Sequence, residues 1–218
     1  MKRPFFPSVE RADESGLLCW GGRADPRTLL DAYRNGIFPW PHEGYPLLWF
    51  APPERAILRF DELRVNSRLG RSLRKEGFQV TFDQAFARVI AACAGPRFVE
   101  GELDGGTWIT PELVEGYSAL HALGWVHSVE AWKDGELVGG LYGGLIGAHC
   151  CGESMFHFSP NASKACVVAL VERLALHGAT WLDIETMTPH FERLGAQEIP
   201  RADFMKWMRD AQTQKKAW

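Results

Sequence analysis

Val126-His127-Ser128-Val129-Glu130-Ala131-Trp132, then Lys133-Asp134-Gly135, then Glu136-Leu137-Val138-Gly139-Gly140-Leu141-Tyr142-Gly143-Gly144-Leu145 is the stretch whose reading decides the fold. Two runs rich in apolar residues flank an Asp-Gly pair, and that pair tolerates the positive φ angles a tight hairpin demands. The stretch predicts two antiparallel strands. Working toward the C-terminus, a helix is expected from about Ala162 to His177, stopped by Gly178, with a strand Trp181-Leu182-Asp183-Ile184-Glu185 directly after it. Toward the N-terminus, Ala56 to Phe60 reads as a strand and a short helix is expected from Ser67. Asp83 is expected to cap a helix from Gln84 to Cys93, and Thr110-Pro111-Glu112 opens another that runs to His121 or Leu123. Strands and helices mixed around a hairpin, closed by a helix–strand crossover, predict an α+β domain on a mixed, partly antiparallel sheet.

Residues 1–60 differ in character, being rich in glycine, proline and aromatics. One helix is expected there, with Asp25 as cap, Pro26 in its first turn and Gly36 at its end. Pro39 and Pro41 exclude helix from the segment that follows. Trp49 and Phe50 stand before Pro52-Pro53, which places a small N-terminal domain over residues 1–60 and the main domain over 61–218.

The composition of the 218 residues, 46% hydrophobic and 23% charged, excludes wholesale disorder and fibrous repeats. No apolar run approaches the roughly 18 residues of a membrane span. Met1-Lys2-Arg3-Pro4-Phe5-Phe6-Pro7 lacks the apolar stretch of a signal peptide. Five cysteines without CxxC spacing fit a reducing cytoplasm. The net charge of -3 hides an asymmetry: residues 1–100 carry 15 Lys and Arg against 12 Asp and Glu, and the remainder carries 9 against 15. Between Arg55 and Lys75 the bases Arg55, Arg59, Arg64, Arg68, Arg71, Arg74 and Lys75 face only Asp61 and Glu62, which allows a polyanionic partner.

Few residues stand out chemically. Asp183 and Glu185 are two apart on the expected strand, so both leave one face while Leu182 and Ile184 point into a core. Two carboxylates so placed raise each other's pKa, and such pairs occur more often in sites than in scaffolds; a solvated strand end is the alternative. Glu153, in Cys151-Gly152-Glu153-Ser154-Met155-Phe156, follows a strand whose glycines signal close approach of backbone or ligand. It is either buried and functional or the start of a loop. Asn161-Ala162-Ser163-Lys164 opens a helix, so its N–H groups either bind an anion or are capped by Asn161. His149-Cys150-Cys151 has metal-ligand residue types but no zinc spacing. There is no G-x-S-x-G elbow, Walker loop or strand-to-helix GxGxxG.

Taken together, Gly36-Ile37-Phe38-Pro39-Trp40, Leu48-Trp49-Phe50-Ala51-Pro52, Gly106-Thr107-Trp108-Ile109-Thr110, His127-Ser128-Val129-Glu130, Leu137 to Gly143, Gly152-Glu153-Ser154-Met155-Phe156, Asn161-Ala162-Ser163-Lys164 and Leu194 to Arg201 resemble bacterial leucyl/phenylalanyl-tRNA–protein transferases. The motifs run in order over nearly the whole chain. The resemblance implies a small N-terminal domain and a C-terminal domain of the N-acetyltransferase-like (GNAT) fold. It implies transfer of leucine or phenylalanine from aminoacyl-tRNA to proteins that begin with Arg or Lys; the small Cys150 adds methionine as a candidate donor. The new N-terminal residue then marks the protein for degradation. No cofactor, metal or membrane is implied. Asp183 and Glu153 fall on the family's catalytic and substrate-binding acids, Glu185 beside them, and Trp49 and Trp108 on its site aromatics. Two departures bear on chemistry: Glu185 stands where the family usually has Gln, and Cys150 where an aromatic often lines the amino-acid pocket.

These residue types suit that chemistry. The donor ester is already activated, so alignment of the acceptor amine and acceptance of its proton are what remain. Asp183 with Glu185 can attract a cationic amine, and Glu153 can hold the donor's α-ammonium. Leu141, Leu170, Leu174 and Leu182, with Cys150, are candidates for the donor pocket, and Asn161 and Ser163 for polar substrate contacts. Arg64, Arg68, Arg71, Arg74 and Lys75 are candidates for tRNA phosphate contacts. Two other functions compete. A CoA-dependent N-acetyltransferase would need a glycine-rich pyrophosphate loop where Phe158-Ser159-Pro160-Asn161-Ala162 stands. A non-catalytic tRNA-binding module would have no use for Glu153 and Asp183.

Overall fold

The computed structural model describes residues 6–99, 102–104 and 107–218; residues 1–5 and Gly106 of the Gly106–Thr110 motif lie outside them. The central hairpin is β8 (Val126–Lys133) and β9 (Glu136–Ile146), joined by Asp134 and Gly135 at φ 53° and 82°. Both central turn residues sit in the left-handed region, as the Asp-Gly pair requires. Around them a seven-stranded sheet takes the order β12 (Gln197–Pro200), β4 (Glu54–Arg59), β11 (Trp181–Asp183), β10 (His149–His157), β9, β8, β5 (Gln79–Phe82). Every neighbouring pair is antiparallel except β10 and β11. The α+β class and the mixed sheet are as the sequence predicts. Strand β4 precedes residue 60 yet lies inside this sheet.

A second sheet of β1 (Leu17–Trp20), β3 (Leu48–Phe50) and β2 (Phe38–Pro39) is antiparallel, and a small hairpin pairs β6 (Arg97–Val99) with β7 (Glu102–Asp104). Helix α1 (Pro26–Arg34) starts as predicted, with Asp25 accepting from the N–H groups of Arg27 and Thr28. Helix α2 (Ser67–Glu76) is capped by Asn66 and stopped by Gly77 at φ 64°. Helix α4 (Pro111–Ala122) is capped by Thr110, and α5 (Ala162–Leu176) spans the predicted range. Three short helical or strand segments near the C-terminus, α6 (Pro189–Leu194), β12 and α7 (Arg201–Gln212), complete the main fold.

The glycines of β9 let both sheet faces be covered closely. A Cβ on Gly139 would meet Ala162 of α5 at 2.5 Å, and one on Gly144 would meet the Tyr33 ring of α1 at 2.5 Å. Odd and even positions of a strand face opposite ways, so α5 and α1 pack on opposite faces. No helix of the described residues is long and apolar enough to cross a membrane.

Two local expectations are corrected. Helix α3 (Phe86–Cys93) has Ala85, not Asp83, at its N-cap. The buried Glu130 accepts from the N–H groups of Gln84 and Ala85 in place of a capping side chain. Asp83 sits at φ 56° and instead accepts from Ser128 N and Trp218 Nε1, with His127 Nδ1 2.7 Å away. The strand expected over 181–185 ends at Asp183, and Glu185 follows at φ 63°.

Candidate active site

The cavity opens where the two parallel strands part. Cys151 of β10 is in register with Asp183 of β11, and no other pair links them. Beyond it Glu153 forms a bulge between Gly152 and Ser154, while the left-handed backbone at Glu185 turns the other chain away. Bulges of this kind re-aim a side chain and end a ladder. The space between holds a cavity of about 460 Å³. Its apolar wall comes from Leu141, Met155, Val167, Leu170, Leu182 and Ile184, with Trp40 and Trp108 beside it. Glu153 and Glu185 supply its acids, and His190 and Phe191 of α6 line it as well.

Glu153 is 8% exposed and has a hydroxyl on each carboxylate oxygen: Tyr33 donates at 2.6 Å and Tyr117 at 2.7 Å. Burial pushes its pKa up to about 7, against the pull of these two hydrogen bonds and of the Arg55 charge. Glycine at 144 makes room for the Tyr33 ring and so for its bond to Glu153. Glu153 is buried and lies on a strand rather than at the start of a loop.

Asp183 is sealed on the opposite side of β11. Arg55 grips it with Nε to Oδ1 and Nη2 to Oδ2, both at 2.8 Å. The guanidinium lies between the rings of Phe38 and Phe204, at 4.8 and 4.7 Å. His149 Nε2 is 3.2 Å from Oδ2, and the backbone N–H of Glu185 donates to Oδ1 at 2.9 Å. Burial alone would raise the Asp183 pKa; the Arg55 charge and the His149 and Arg55 hydrogen bonds outweigh it and hold the acid well below the usual carboxylate range. The expected faces of this strand are therefore inverted: Leu182 and Ile184 line the cavity, and Asp183 points away from it into a closed clamp. A solvated strand end is excluded, since Asp183 is 0% exposed.

Glu185 reaches the cavity only because its backbone turns. Burial, and then the nearby Glu153 charge, raise its pKa well above the ordinary value, with Arg55 at 4.0 Å opposing. The Cys151 thiol donates to it at 3.4 Å. Cys151, Glu153 and Glu185 offer ligand atoms within 4.8 Å of one another. A cation there would have to displace the protons that burial keeps on Cys151 and Glu185, with the Arg55 guanidinium 3.9 Å from the sulfur. His149, of the expected metal-type run, is turned to Asp183 instead.

Among the other candidates, Trp108, Leu141, Leu170 and Leu182 line the cavity. Trp49 does not: it is a core residue, its indole donating to Gly21 O and its edge meeting Phe6. Leu174 is core as well. Cys150 is not on the cavity wall; it lines a small adjoining void with His127 and Trp218 that shares Leu141, Gly152 and Leu170 with the cavity, its thiol pushed up to about 12 by burial. Ser163 is buried at the start of α5, away from the cavity wall. Asn161, at φ 67°, makes no side-chain cap and instead donates to Ser72 Oγ and accepts from Lys164 Nζ. Arg64, Arg68, Arg71, Arg74 and Lys75 are all exposed, four of them on α2, and none has an ion-pair partner within 4 Å among the described residues.

Sequence reasoning missed Arg55, His149, Tyr33 and Tyr117 as parts of the site. Arg55 was visible as a base inside an apolar strand, a place where a charge needs a partner. The tyrosines read as ordinary apolar helix faces and carried no separate signal.

The leucyl/phenylalanyl-tRNA protein transferase family matches residues 57–209, and the N-terminal domain of the same family matches 22–53. Curated leucyl/phenylalanyl-tRNA–protein transferases are similar to the chain throughout. That of Aromatoleum aromaticum is 50% identical over 93% of this chain and 84% of its own length. That of Azotobacter vinelandii is 48% identical over 93% and 89%, and that of Syntrophotalea carbinolica 45% over 94% and 88%. Among solved structures, L-PGS from Bacillus licheniformis aligns at TM-score 0.39 and 12% identity, over 73% of this chain and 50% of that one. A likeness that low decides nothing about this chain.

Proposed function

The chain belongs to the leucyl/phenylalanyl-tRNA protein transferase family, and on that premise we propose that it moves leucine or phenylalanine from aminoacyl-tRNA to the N-terminus of acceptor proteins. One observation carries the reading: an apolar cavity large enough for such a side chain ends on two buried carboxylates, Glu153 and Glu185. We extend the reading to acceptors that begin with Arg or Lys, to their marking for degradation, and to a cytoplasmic setting in keeping with five free thiols. The architecture we propose is a small N-terminal domain, residues 1–60, against a GNAT-like catalytic domain, 61–218, with β4 crossing into the catalytic sheet.

Each side chain then has a task. The donor's leucyl or phenylalanyl group packs among Leu141, Leu170 and Leu182, burial worth about 1.5–3 kcal/mol for leucine. Discrimination among apolar donors, methionine included, is correspondingly modest. Trp108 flanks the terminal nucleoside. Glu153, with both oxygens already set by tyrosine hydroxyls, holds the donor's α-ammonium. The acceptor amine attacks the ester carbonyl; the new C–N bond forms, the C–O bond to the ribose breaks, and the ribose oxygen leaves with a proton.

Glu185 accepts the amine's hydrogen bond and its proton, and that proton passes on to the departing ribose oxygen. An acid with a raised pKa is a stronger base once ionised than a solvated one, and a cationic acceptor favours that ionisation. Asp183 is a positioning residue: it fixes Arg55 and, through the Glu185 N–H, the turn that aims Glu185. The bases of α2 meet tRNA phosphates.

A single-turnover assay tests this with leucyl- and phenylalanyl-tRNA as donors and a peptide beginning with Arg as acceptor. Transfer of the labelled amino acid to the peptide is expected. No transfer, with acetylation of the peptide from acetyl-CoA instead, would overturn the reading in favour of the acetyltransferase. Tight tRNA binding with neither reaction would leave only a binding module.

A further inference from the structure

The exposed bases of α2 do not end at that helix. Ser72, on α2, accepts a hydrogen bond from Asn161 at 3.1 Å, and Asn161 in turn accepts from Lys164 Nζ at 2.9 Å. The helix therefore docks directly on the start of α5. On its other flank, the N–H of Arg64 donates to the carbonyl of Leu194 at 2.8 Å, next to Arg193, and a Cβ on Gly195 would come within 3.3 Å of the Arg64 side chain. Arg193 is exposed and Lys164 half-buried, and neither has an ion-pair partner within 4 Å among the described residues. Glu192 is the acid adjacent in sequence; Glu62 accepts from Gln197. From this group the path enters the cavity at His190, which lines its wall and whose Nε2 is buried without a hydrogen-bond partner.

Electrostatics agree with the placement. Burial, then the Arg193 charge, lowers the Lys164 pKa. Burial, then Lys164, Arg193 and His157, pushes that of His190 down to about 4, so its ring is uncharged at neutral pH. The cluster is a set of uncompensated cations that an anion would satisfy.

We propose that Lys164 and Arg193, with His190 at the cavity wall, form a second anion-binding station that continues the basic face of α2 to the cavity and holds the phosphodiesters next to the terminal aminoacyl nucleoside. This rests on the transfer reading above and names how the donor's single-stranded end is guided. A double-stranded stem lies against α2 and the single strand crosses Lys164 and Arg193. The station fixes the ester over Glu153 and Glu185, which matters because a small misplacement of reacting atoms is costly in rate.

The experiment compares two leucyl donors, leucyl-adenosine, which has no phosphodiester, and a leucylated trinucleotide, which has two. The readout is the ratio of kcat/KM for trinucleotide over nucleoside. Lys164→Gln with Arg193→Gln should lower that ratio about tenfold, the scale of losing charge-assisted hydrogen bonds. Lys164→Arg with Arg193→Lys should keep most of it. A ratio within twofold of wild type in the Gln pair, or equal loss in the charge-keeping pair, overturns the proposal. Binding of the unacylated trinucleotide is measured in parallel, and its salt slope should fall by about 1.4 in the Gln pair, roughly 0.7 for each single-strand phosphate that is no longer neutralised. If wild type transfers from neither donor, the transfer reading has failed; the slope alone then decides the anion station, and an unchanged slope rejects it.

Discussion

Glu153 and Asp183 are buried on adjacent strands, Asp183 in register with Cys151 and Glu153 two residues beyond it, yet their surroundings drive them in opposite directions. Asp183 is met by a guanidinium in a two-bond grip and stays charged. Glu153 is met by two neutral hydroxyls, and its pKa rises to about 7. Burial is shared, so the partner decides. A full opposite charge outweighs desolvation; two phenol hydroxyls do not. The clamp around Asp183 is closed and charge-balanced, whereas the bulge at Glu153 leaves an acid that changes protonation state near neutral pH.

The largest effect should come from breaking the clamp. Arg55→Ala leaves Asp183 as an uncompensated buried charge and should destabilise by about 3–5 kcal/mol in a denaturant titration, with transfer lost alongside. A loss under about 1 kcal/mol would mean that the clamp is not what holds Asp183.

Opposite pH signatures sharpen the contrast. The Asp183 pKa is depressed in the fold, so its stabilisation is present above the unfolded value near 3.9 and is lost as pH falls through the native value. Asp183→Asn should therefore lag wild type most near neutrality and converge with it in acid. The Glu153 pKa is raised, so its contribution is complete below about 4.5 and is lost as pH rises through 7. Glu153→Gln should gain stability relative to wild type between pH 4.5 and 7 and level off above. Melting temperatures across that range decide it, and parallel curves would erase the distinction.

Glu185→Gln keeps the shape and the amine's hydrogen-bond acceptor but cannot take a proton. An α-amino group has a pKa near 8, so transfer should fall about tenfold at pH 7 and recover by about pH 9 as free amine accumulates. A deficit independent of pH would point to lost positioning instead.

Tyr33→Phe removes one of the two hydroxyls that favour ionised Glu153, at a cost of about 1 kcal/mol in stability. The limb of the pH–rate profile that reports Glu153 should move to higher pH. Smallest of all, Cys150→Ala should change the choice between leucyl and phenylalanyl donors less than twofold, because Cys150 meets the adjoining void and not the cavity wall itself.

Local chemistry made much of the fold legible. The Asp-Gly turn, Asp25-Pro26, Thr110-Pro111 and the terminating Gly36 and Gly178 act within a few residues, so α1, α4, α5 and the central hairpin were readable. Helix α7 has no capping side chain to announce it, and its only signal is the spacing of Phe204, Met205, Met208 and Ala211. The strands of the small sheet are two to four residues long, too short for alternation to show. Asp83 misled because an aspartate before a helix is a common cap, and the competing carboxylate, Glu130, is brought there from another strand.

For the site, residue types and motif order were enough to single out Glu153, Asp183, Glu185 and Trp108, because acids set among small and apolar residues are costly wherever they fold. By itself the sequence determined the central hairpin, most of the main helices, the family and these acids. Which acid faces the cavity was decided by the tertiary structure alone. Asp183 is sealed because Arg55 arrives from β4, 128 positions away in sequence. Glu185 reaches the cavity because its backbone turns at φ 63°, and Glu153 does so because a bulge re-aims it. Alternation along a strand predicts faces only while the ladder is regular, and a pKa depends on which charges converge across the chain; both are properties of the assembled sheet.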